Sequence, residues 1–268
     1  MTLDPGPPPI LEKCAQAHRL VQGFLAGSLP LAHLASLEPP YIVRPPRRQV
    51  VREKVKKSLE VLESALESHS LEEIAVSYNG GKDCLVMLTL LLAAIHRKVS
   101  LGARIPANYK LDSIYVNSEK PFPELSRFIE LLAKEYLLNP ITISSSMKQG
   151  FEQYLTQVNC NTKAIVVGIR YADPYGALLQ YEQETDHNWP KFLRIHPILH
   201  WHYCDVWDFI LACGVPYCEL YDQGYTSLGG VDTTLPNIFL RLGDSYLPAY
   251  MLEDFADERE RVGRMKSR

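Results

Sequence analysis

Apolar and polar positions change their spacing several times along this chain, and each change predicts an element. Short apolar runs predict β-strands over residues 74–77, 113–117, 140–144 and 164–170. Between them, apolar positions with helical spacing predict helices over residues 82–96, 123–136 and 147–157. This alternation with short connections is typical of an α/β fold, here a doubly wound, mostly parallel sheet with helices on both faces. Ligands of such sheets bind at the carboxyl ends of the strands.

The two ends of the chain have a different pattern. Residues 1–49 contain nine of the 19 prolines and predict a proline-rich N-terminal arm, with one short helix around residues 11–25. Charged and apolar positions over residues 50–69 fit an amphipathic helix that begins the body. The predicted division is therefore an arm, residues 1–49, packed on a single α/β domain, residues 50–268. A strand at 194–199 and a helix at 204–213 are expected before an irregular C-terminal region.

Composition and charge argue against several classes of protein. A net charge of −3 disfavours a nucleic-acid partner, since such binding depends on neutralising phosphates with lysine and arginine. No apolar run approaches the roughly 20 residues that cross a bilayer, so no membrane association is expected. The six cysteines form no C-x-x-C pair, and we expect reduced thiols in a cytoplasmic protein. The sequence leaves the oligomeric state open, with a monomer as the working expectation.

The candidate chemistry starts at the junction between the first predicted strand and the helix that follows it. This junction carries two adjacent glycines and a lysine, and it reads Ser77, Tyr78, Asn79, Gly80, Gly81, Lys82, Asp83 and Cys84. A glycine pair lets the backbone approach an anion, a helix start offers unpaired N–H groups, and the lysine adds a positive charge. The segment therefore predicts a phosphate-binding loop.

Two common phosphate motifs do not fit this loop. The pattern G-x-x-x-x-G-K-[ST] needs glycine where Val76 stands, and Asp83 replaces the hydroxyl that would ligate magnesium. The dinucleotide fingerprint G-x-G-x-x-G is absent at this turn. What remains resembles the S-G-G-x-D-S pyrophosphate loop of ATP-cleaving adenylating enzymes, with Asn79 and Cys84 in place of the two serines. Asparagine can still donate to a phosphate, whereas a thiol is a poor donor.

Three further blocks accompany the loop. The first closes the strand at 164–170 and runs Gly168, Ile169, Arg170, Tyr171, Ala172, Asp173 and Pro174. The second begins with Asp186, His187, Asn188, Trp189 and Pro190, and the third lies within residues 207–229. Together with the loop they resemble the fungal-type eukaryotic FAD synthetases (FMN adenylyltransferases), in the phosphoadenylyl-sulfate reductase branch of the pyrophosphate-loop superfamily. The resemblance spans roughly residues 50–264. It implies an adenine nucleotide alpha hydrolase-like fold and the magnesium-dependent reaction ATP + FMN → FAD + pyrophosphate.

That reaction brings two phosphate anions together, so cations must converge on the junction between them. The candidate cations are Lys82, Arg170 and Arg194. Asp83 is the carboxylate expected to help place Mg²⁺. The candidate catalytic set is completed by two residues, Asn79 in the loop and Asp173 at the strand end.

Substrate positions follow from the same resemblance. ATP is expected on residues 77–82, with adenine near Val116 and Asn117 and with backbone groups at Gly168 and Ile169 facing the nucleotide. For FMN, Trp189 can supply a flat apolar wall, with polar groups around it. The candidate FMN residues are Asp186, His187, Asn188, Trp189, Pro190 and Arg194, and by resemblance also Arg261 and Arg264. Core packing is the alternative for Trp189, and a frayed basic tail is the alternative for the two arginines.

Three other functions are alternatives to FAD synthesis. A phosphoadenylyl-sulfate reductase needs an exposed nucleophilic cysteine near its C-terminus, and no cysteine follows Cys218. A tRNA-modifying adenylating enzyme generally has C-x-x-C pairs or an added basic RNA-binding module, and the sequence has neither. A non-catalytic nucleotide- or flavin-binding module is disfavoured by Lys82 and Asp83 on an otherwise complete loop.

Overall fold

The computed structural model describes residues 8–265, and within them a six-stranded sheet forms the centre of the fold. Its strands are β1 (Ile74–Ser77), β2 (Asp112–Val116), β3 (Asn139–Ile143), β4 (Ala164–Val167), β5 (Glu182–Glu184) and β6 (Leu193–Ile195). The order is β3-β2-β1-β4-β6-β5, and only the β5–β6 pair is antiparallel. The predicted mostly parallel α/β sheet is confirmed. The order reverses beside β1, which places the loop after β1 where such sheets bind ligands.

Helices pack on both faces of the sheet. They are α1 (Ile10–Ala26), α2 (Pro45–Ser68), α3 (Lys82–Ser100), α4 (Pro123–Glu135), α5 (Met147–Gln153), α6 (Tyr203–Cys213) and α7 (Ala256–Arg259). Alternate residues of β1 serve two cores, because successive side chains of a strand point to opposite faces. Val76 joins a large core with α1 to α4 and α6, whereas Ala75 joins a smaller core with Phe151 of α5.

Helix α3 is the hydrophobic centre of the larger core. Every residue from Cys84 to Ile95 is buried, so the helix is enclosed on all sides. Part of that enclosure comes from α1, whose Cys14, Val21 and Phe24 are buried in the same core. The helix that starts at the candidate phosphate loop is therefore held rigidly, and its first turn is fixed in space.

The predicted start of the amphipathic helix at residue 50 is wrong. Helix α2 begins at Pro45, because proline is well tolerated in the first turn, where its missing N–H would have no helical partner. Arg48 in this early turn pairs with Asp208 of α6, with Nε 2.5 Å from Oδ2. The division between residues 49 and 50 thus falls inside α2, and α1 shares the core of the body. The separation of an N-terminal arm, residues 1–49, from a single α/β domain, residues 50–268, stays a prediction.

Smaller differences concern the edges of the sheet. Strand β5 is polar and carries no apolar alternation, so its sequence gave no strand signal. Strand β4 ends at Val167 instead of residue 170, since the chain leaves the sheet at Gly168. A hairpin of β7 (Arg241–Leu242) and β8 (Ser245–Tyr246) interrupts the irregular C-terminal region. Among residues 8–265, no helix combines the length and apolarity that crossing a membrane requires.

Candidate active site

A cavity of about 280 Å³ opens at the carboxyl end of the sheet, between the ends of β1 and β4 and the C-terminal region. Nine predicted site residues line it, namely Asn79, Gly81, Lys82, Asp83, Gly168, Ile169, Asp173, Arg261 and Arg264. Its wall also includes Cys84, Pro174, Tyr221, Ser227, Leu228 and Glu260. The cavity therefore brings the loop, the end of β4 and the C-terminal arginine pair to one place.

The two glycines of the loop are required by its geometry. Gly80 has φ +74°, a left-handed conformation that favours glycine, and a Cβ there would lie 2.7 Å from Ile129 of α4. The N–H of Gly81 donates to Oδ1 of Asn79 at 2.9 Å, and a Cβ on Gly81 would meet that same oxygen. The side chain of Asn79 thus shapes the loop from inside, which explains how asparagine replaces the serine of the related motif.

The first turn of α3 forms one wall of the cavity. The backbone N–H of Lys82 donates to the hydroxyl of Tyr221 at 2.9 Å, so this buried tyrosine holds the helix start. First-turn N–H groups have no partner within their helix, and the helix dipole adds partial positive charge there. The wall is therefore suited to an anion such as a polyphosphate.

Four buried or half-buried side chains of alternating charge form a closed ring beneath the phosphate loop, which we call the charge ring. In order around the ring they are Lys82, Asp83, Arg170 and Glu260. Nζ of Lys82 lies 2.9 Å from Oδ2 of Asp83 and also contacts Glu260. Nε of Arg170 lies 2.6 Å from Oδ1 of Asp83, and its NH2 group contacts Glu260. On its outer side, Arg170 also pairs with Asp257 at 3.0 Å. Each carboxylate of the ring therefore bridges both cations.

The charge ring controls protonation. Burial alone would raise the pKa of Asp83, but the charges of Arg170 and Lys82 outweigh burial and hold that pKa below its ordinary value. Burial alone would lower the pKa of Lys82, but Asp83 and Glu260 raise it instead. Both groups are therefore ionised at neutral pH. The ammonium of Lys82 is already compensated inside the ring, and its side chain is only 2% exposed.

Arg170 lies deeper than the sequence suggested. Its position at the end of a strand predicts a cation at the rim of the sheet that faces the reacting phosphates. The structure instead buries the Arg170 side chain fully behind the phosphate loop. Its partners Asp257 and Glu260 belong to the C-terminal segment, which the local pattern around Arg170 does not reveal. Asp173 accepts from the backbone N–H of Arg170 at 2.9 Å, so this aspartate shapes the turn after β4 while lining the cavity.

Gly168 and Cys84 allow β4 and α3 to meet closely. A Cβ on Gly168 would lie 3.1 Å from Sγ of Cys84, tighter than ordinary contact. The thiol of Cys84 donates to the carbonyl of Ser77 at 3.6 Å, and burial raises its pKa to about 12. Cys84 is therefore a neutral packing thiol at this position. The side chain of Tyr78 in the same loop is fully buried and turns away from solvent.

The arginine pair belongs to a well-defined segment. Arg264 donates to the carbonyl of Leu228 at 2.9 Å and lies 3.5 Å from Oε2 of Glu119, while its guanidinium packs against Gly229. A backbone bridge also joins Thr234 to Arg264. The frayed-tail alternative is therefore wrong for this part of the chain. Burial lowers the pKa of Arg264, and the charge of Arg261 beside it adds to that shift.

The other predicted substrate residues lie outside the cavity wall. Val116 ends β2 and contacts Gly150 of α5, and Asn117 follows it, accepting from the N–H of Glu119 at 3.1 Å. The loop of residues 186–190 joins β5 to β6. Since Leu193 pairs with Ala164, the first residue of β4, this loop leaves the sheet at the end opposite the cavity.

Trp189 and Arg194 have their own surroundings at that edge. The Trp189 side chain is 37% exposed, and its ring centre lies 6.4 Å from that of Phe151. His187 and Asn188 both have positive φ, and the N–H of Trp189 donates to the carbonyl of Asp186 at 3.1 Å, which closes a tight turn. Arg194 donates to the carbonyl of Glu184 at 3.1 Å, so it braces the β5–β6 pair. Their roles toward FMN stay predictions.

Sequence reasoning missed Glu260, Tyr221 and Glu119. Glu260 stands directly before Arg261, but an acidic residue in a charged segment is ordinary and carries no signal of burial. Tyr221 lies within the third block, but nothing in the local pattern indicates that its hydroxyl holds the start of α3. Glu119 accepts from the N–H of Gly230 at 2.8 Å and so ties the end of β2 to the arginine pair. All three act across long sequence separations, which local patterns do not report.

The side chains at the cavity offer few ligands to a metal ion. Within the described residues, no three His, Cys, Asp or Glu side chains form a cluster able to hold one. Asp83, the predicted ligand, has both oxygens in contact with cations of the charge ring. Mg²⁺ commonly binds through one or two carboxylates together with substrate phosphates. The residues therefore fit an ion that is also bound to phosphates better than one held by the protein alone.

Comparison with known proteins gives consistent matches. The model of the phosphoadenosine phosphosulfate reductase domain matches residues 73–158 and 149–236. A protein of Schizosaccharomyces pombe named a probable FAD synthase is 41% identical over 203 residues, which cover 75% of this chain and 76% of that one. A probable FAD synthase of Caenorhabditis elegans is 38% identical over 77% of this chain, but the match spans only 40% of its own length.

A solved structure agrees over a still larger part of the chain. The FMN adenylyltransferase of Candida glabrata, crystallised with FAD and inorganic pyrophosphate, superimposes with a TM-score of 0.82 at 28% identity. The match covers 97% of this chain and 98% of the Candida protein. The match therefore extends well beyond residues 73–236, to which the family model is confined. With this fold, this loop and these relatives, the chain belongs to the FAD synthase family.

Proposed function

We propose that this protein transfers the AMP part of ATP to the phosphate of FMN and releases pyrophosphate, which makes FAD. The observation that carries the proposal is one cavity with two kinds of anion-binding wall. The phosphate loop and first turn of α3 form one wall, and Arg261 with Arg264 forms another. Two phosphate-bearing substrates can thus meet between them. Relatives named FAD synthase support this assignment over three quarters of the chain.

The chemistry needs alignment more than proton transfer. An oxygen of the FMN phosphate attacks the α-phosphorus of ATP, and the bond from that phosphorus to the β-phosphate oxygen breaks. A phosphate monoester is largely ionised at neutral pH, so the attacking oxygen needs no general base. The N–H groups of Gly81 and Lys82 are held by Asn79 and Tyr221, so other backbone N–H groups of the loop and of the first turn of α3 would hold the β- and γ-phosphates. The arginine pair would offset the charge of the incoming FMN.

Within this proposal the charge ring has an indirect role. Lys82 and Arg170 are compensated by Asp83 and Glu260, so their charges fix the loop more than they attract substrate. Mg²⁺ would enter as MgATP, with Asp83 and Asp173 as the nearby carboxylates, and would supply charge neutralisation on the phosphates. Asn79 would contribute the loop shape through its contact with Gly81.

The flavin and adenine positions are part of the proposal. Adenine would lie beside the end of β2 near Val116 and Asn117, with Gly168 and Ile169 facing the nucleotide. The loop of residues 186–190 leaves the sheet at the far end, but its Trp189 packs 6.4 Å from Phe151, next to Gly150, which contacts Val116 at the carboxyl end of β2. From that face of the sheet, the loop and Arg194 would approach a flavin ring that extends out of the cavity. Trp189 supports this idea, because a large aromatic side chain is partly exposed on a turn with two non-glycine residues at positive φ. Such strained turns cluster at ligand sites.

The reductase alternative receives no support from the cysteines. Cys218 is 1% exposed, and burial raises the pKa of its thiol, so it is neither accessible nor activated as a nucleophile. Of the six cysteines described, Cys160 is the exposed one, and its thiol donates to the carbonyl of Thr156. A cytoplasmic, monomeric enzyme remains our working proposal, consistent with these free thiols.

A direct assay tests the proposed function. The protein is incubated with MgATP and FMN, and FAD is separated by chromatography while pyrophosphate is measured by a coupled reaction. Equal amounts of FAD and pyrophosphate are expected, with neither product when FMN is left out. Replacing FMN by riboflavin, which lacks the phosphate, is the matched control and should give no product. Pyrophosphate release without FMN, or FAD absent at all substrate concentrations, would contradict the proposal.

A further inference from the structure

Glu260 is a buried carboxylate that the proposed reaction does not use directly. Its side chain is 6% exposed and lies between the ammonium of Lys82 and the guanidinium of Arg170. Asp83 makes the equivalent pair of contacts on the other side of the charge ring. Through Glu260, the ring joins the start of α3 and the turn after β4 to the segment that follows α7. A single side chain thus links the phosphate loop to the C-terminal segment.

The backbone around Glu260 is held as firmly as its side chain. The hydroxyl of Thr226 donates to the carbonyl of Glu260 at 2.6 Å. The amide nitrogen of Asn237 donates to Thr226 Oγ1 and to the carbonyl of Arg259, both at 2.9 Å. Thr226 and Asn237 are both buried, at 2% and 0% exposure. Buried, fully paired polar groups of this kind rigidify the segment that contains them.

This anchoring fixes the residues that follow. Arg261 is the next residue in the chain, and it lines the cavity together with Arg264. Since Glu260 is held against Lys82, the distance from the phosphate loop to Arg261 is set by a short, rigid connection. Charge-stabilised group transfer depends on such spacing, because a misplacement of about 1 Å can cost around a hundredfold in rate.

We propose that Glu260 is a positioning residue that sets the spacing between the phosphate loop and the arginine pair, and thereby orients FMN toward bound ATP. The proposal rests on the proposed function, since it assigns the arginine pair to FMN. Glu260 acts through Lys82 on one side and Arg261 on the other. Its negative charge also balances the ring, so its removal leaves more positive charge beside the nucleotide site.

The test is the variant Glu260→Gln, which keeps the shape of the side chain and removes its charge. The affinity for FMN is expected to fall about tenfold or more, the effect of losing a charge-assisted hydrogen bond, and kcat is expected to fall with it. The affinity for an uncleavable MgATP analogue should stay within about threefold or become tighter, since a negative charge near the phosphates is gone. A purely structural role would weaken both ligands alike.

Two further variants make the result decisive. Glu258→Gln changes an exposed carboxylate of α7, the helix that directly precedes Glu260, and should leave both affinities unchanged. Thr226→Val removes the hydroxyl that holds the Glu260 carbonyl and leaves the ring charges in place, so it should reproduce the loss toward FMN even if Glu260→Gln does not fold. Unchanged FMN affinity in a folded Glu260→Gln or Thr226→Val protein would overturn the proposal, as would equal weakening of both ligands. A wild-type protein that makes no FAD would instead overturn the proposed function, and the two binding titrations tell these cases apart.

Discussion

Replacing Arg170 by methionine should destabilise the whole fold instead of only slowing catalysis. Arg170 is fully buried and touches three carboxylates, with Asp83 Oδ1 at 2.6 Å, Asp257 Oδ1 at 3.0 Å and Glu260 as the third. Removing one partner of a buried ion pair typically costs about 3–5 kcal/mol, out of a total stability of about 5–15 kcal/mol. Lys82 still compensates Asp83 and Glu260. We therefore expect the lower end of that range, about 3 kcal/mol.

The loss of stability in Arg170→Met should also depend on pH in a definite direction. In the wild type, burial alone would raise the pKa of Asp83, but the charge of Arg170, followed by that of Lys82, holds it below its ordinary value. The pKa of Asp257 is also lowered despite burial, by the N–H of Tyr203, the side chain of His202 and then the charge of Arg170. The stability that Arg170 lends them is present above the unfolded pKa of about 4 and disappears as pH falls through the lower folded values. Without Arg170 the two carboxylates protonate at higher pH, which relieves the variant. The stability difference should therefore be largest near pH 7 and shrink toward pH 4.

Urea unfolding at several pH values measures this difference from the midpoints, provided that the slope m is unchanged. Arg261→Met is the matched control, because Arg261 is exposed at the cavity and should change stability by no more than about 0.5 kcal/mol. That control should nevertheless lose FMN-dependent turnover. An Arg170→Met protein within about 1 kcal/mol of wild type at pH 7 would refute the assignment of Arg170 to the buried support of the loop.

Three other changes test separate parts of the site. Trp189→Ala should weaken FMN more than MgATP in separate titrations, and equal weakening would argue against a flavin role for that loop. Gly80→Ala should destabilise by more than the roughly 1–2 kcal/mol of left-handed strain, because its Cβ would meet Ile129, and thermal unfolding measures this. Gly102→Ala is its control, with φ +98° and open space around it, and should show the strain alone. Asp83→Asn should lower the kcat of FAD formation about a hundredfold, since it opens the charge ring under the loop, and a wild-type kcat would remove Asp83 from the mechanism.

Local patterns predicted the fold well where an element is apolar and bounded by clear signals. The bounds of β1 are confirmed at both ends, because its apolar run stops at the loop. The helix after it is also confirmed from Lys82 onward. The start of α2 was missed, since two prolines look like a linker until their place in a first helical turn is known. Strand β5 was missed because edge strands can be polar.

The candidate site was predictable only in part, for a physical reason. The loop could be located because its glycines, lysine and helix start are consecutive in sequence. The placement of Arg170 could not be predicted, because its burial depends on Asp257 and Glu260, which lie 87 and 90 residues further along the chain. Local patterning reports which residues can be charged, but burial of a charge depends on partners that only the folded chain brings together.

The enclosure of α3 by α1 has a consequence for how this family is handled in the laboratory. The phosphoadenosine phosphosulfate reductase model matches this chain from residue 73 to residue 236. A fragment cut to those limits would lose α1, α2 and Glu260. One side of α3 would then face water where Val21 and Phe24 now cover it, and Lys82 would lose a counter-ion. Because exposed apolar faces promote association, we expect such a fragment to aggregate on expression. We therefore expect the smallest piece that folds to be longer than residues 73–236, which the family model matches.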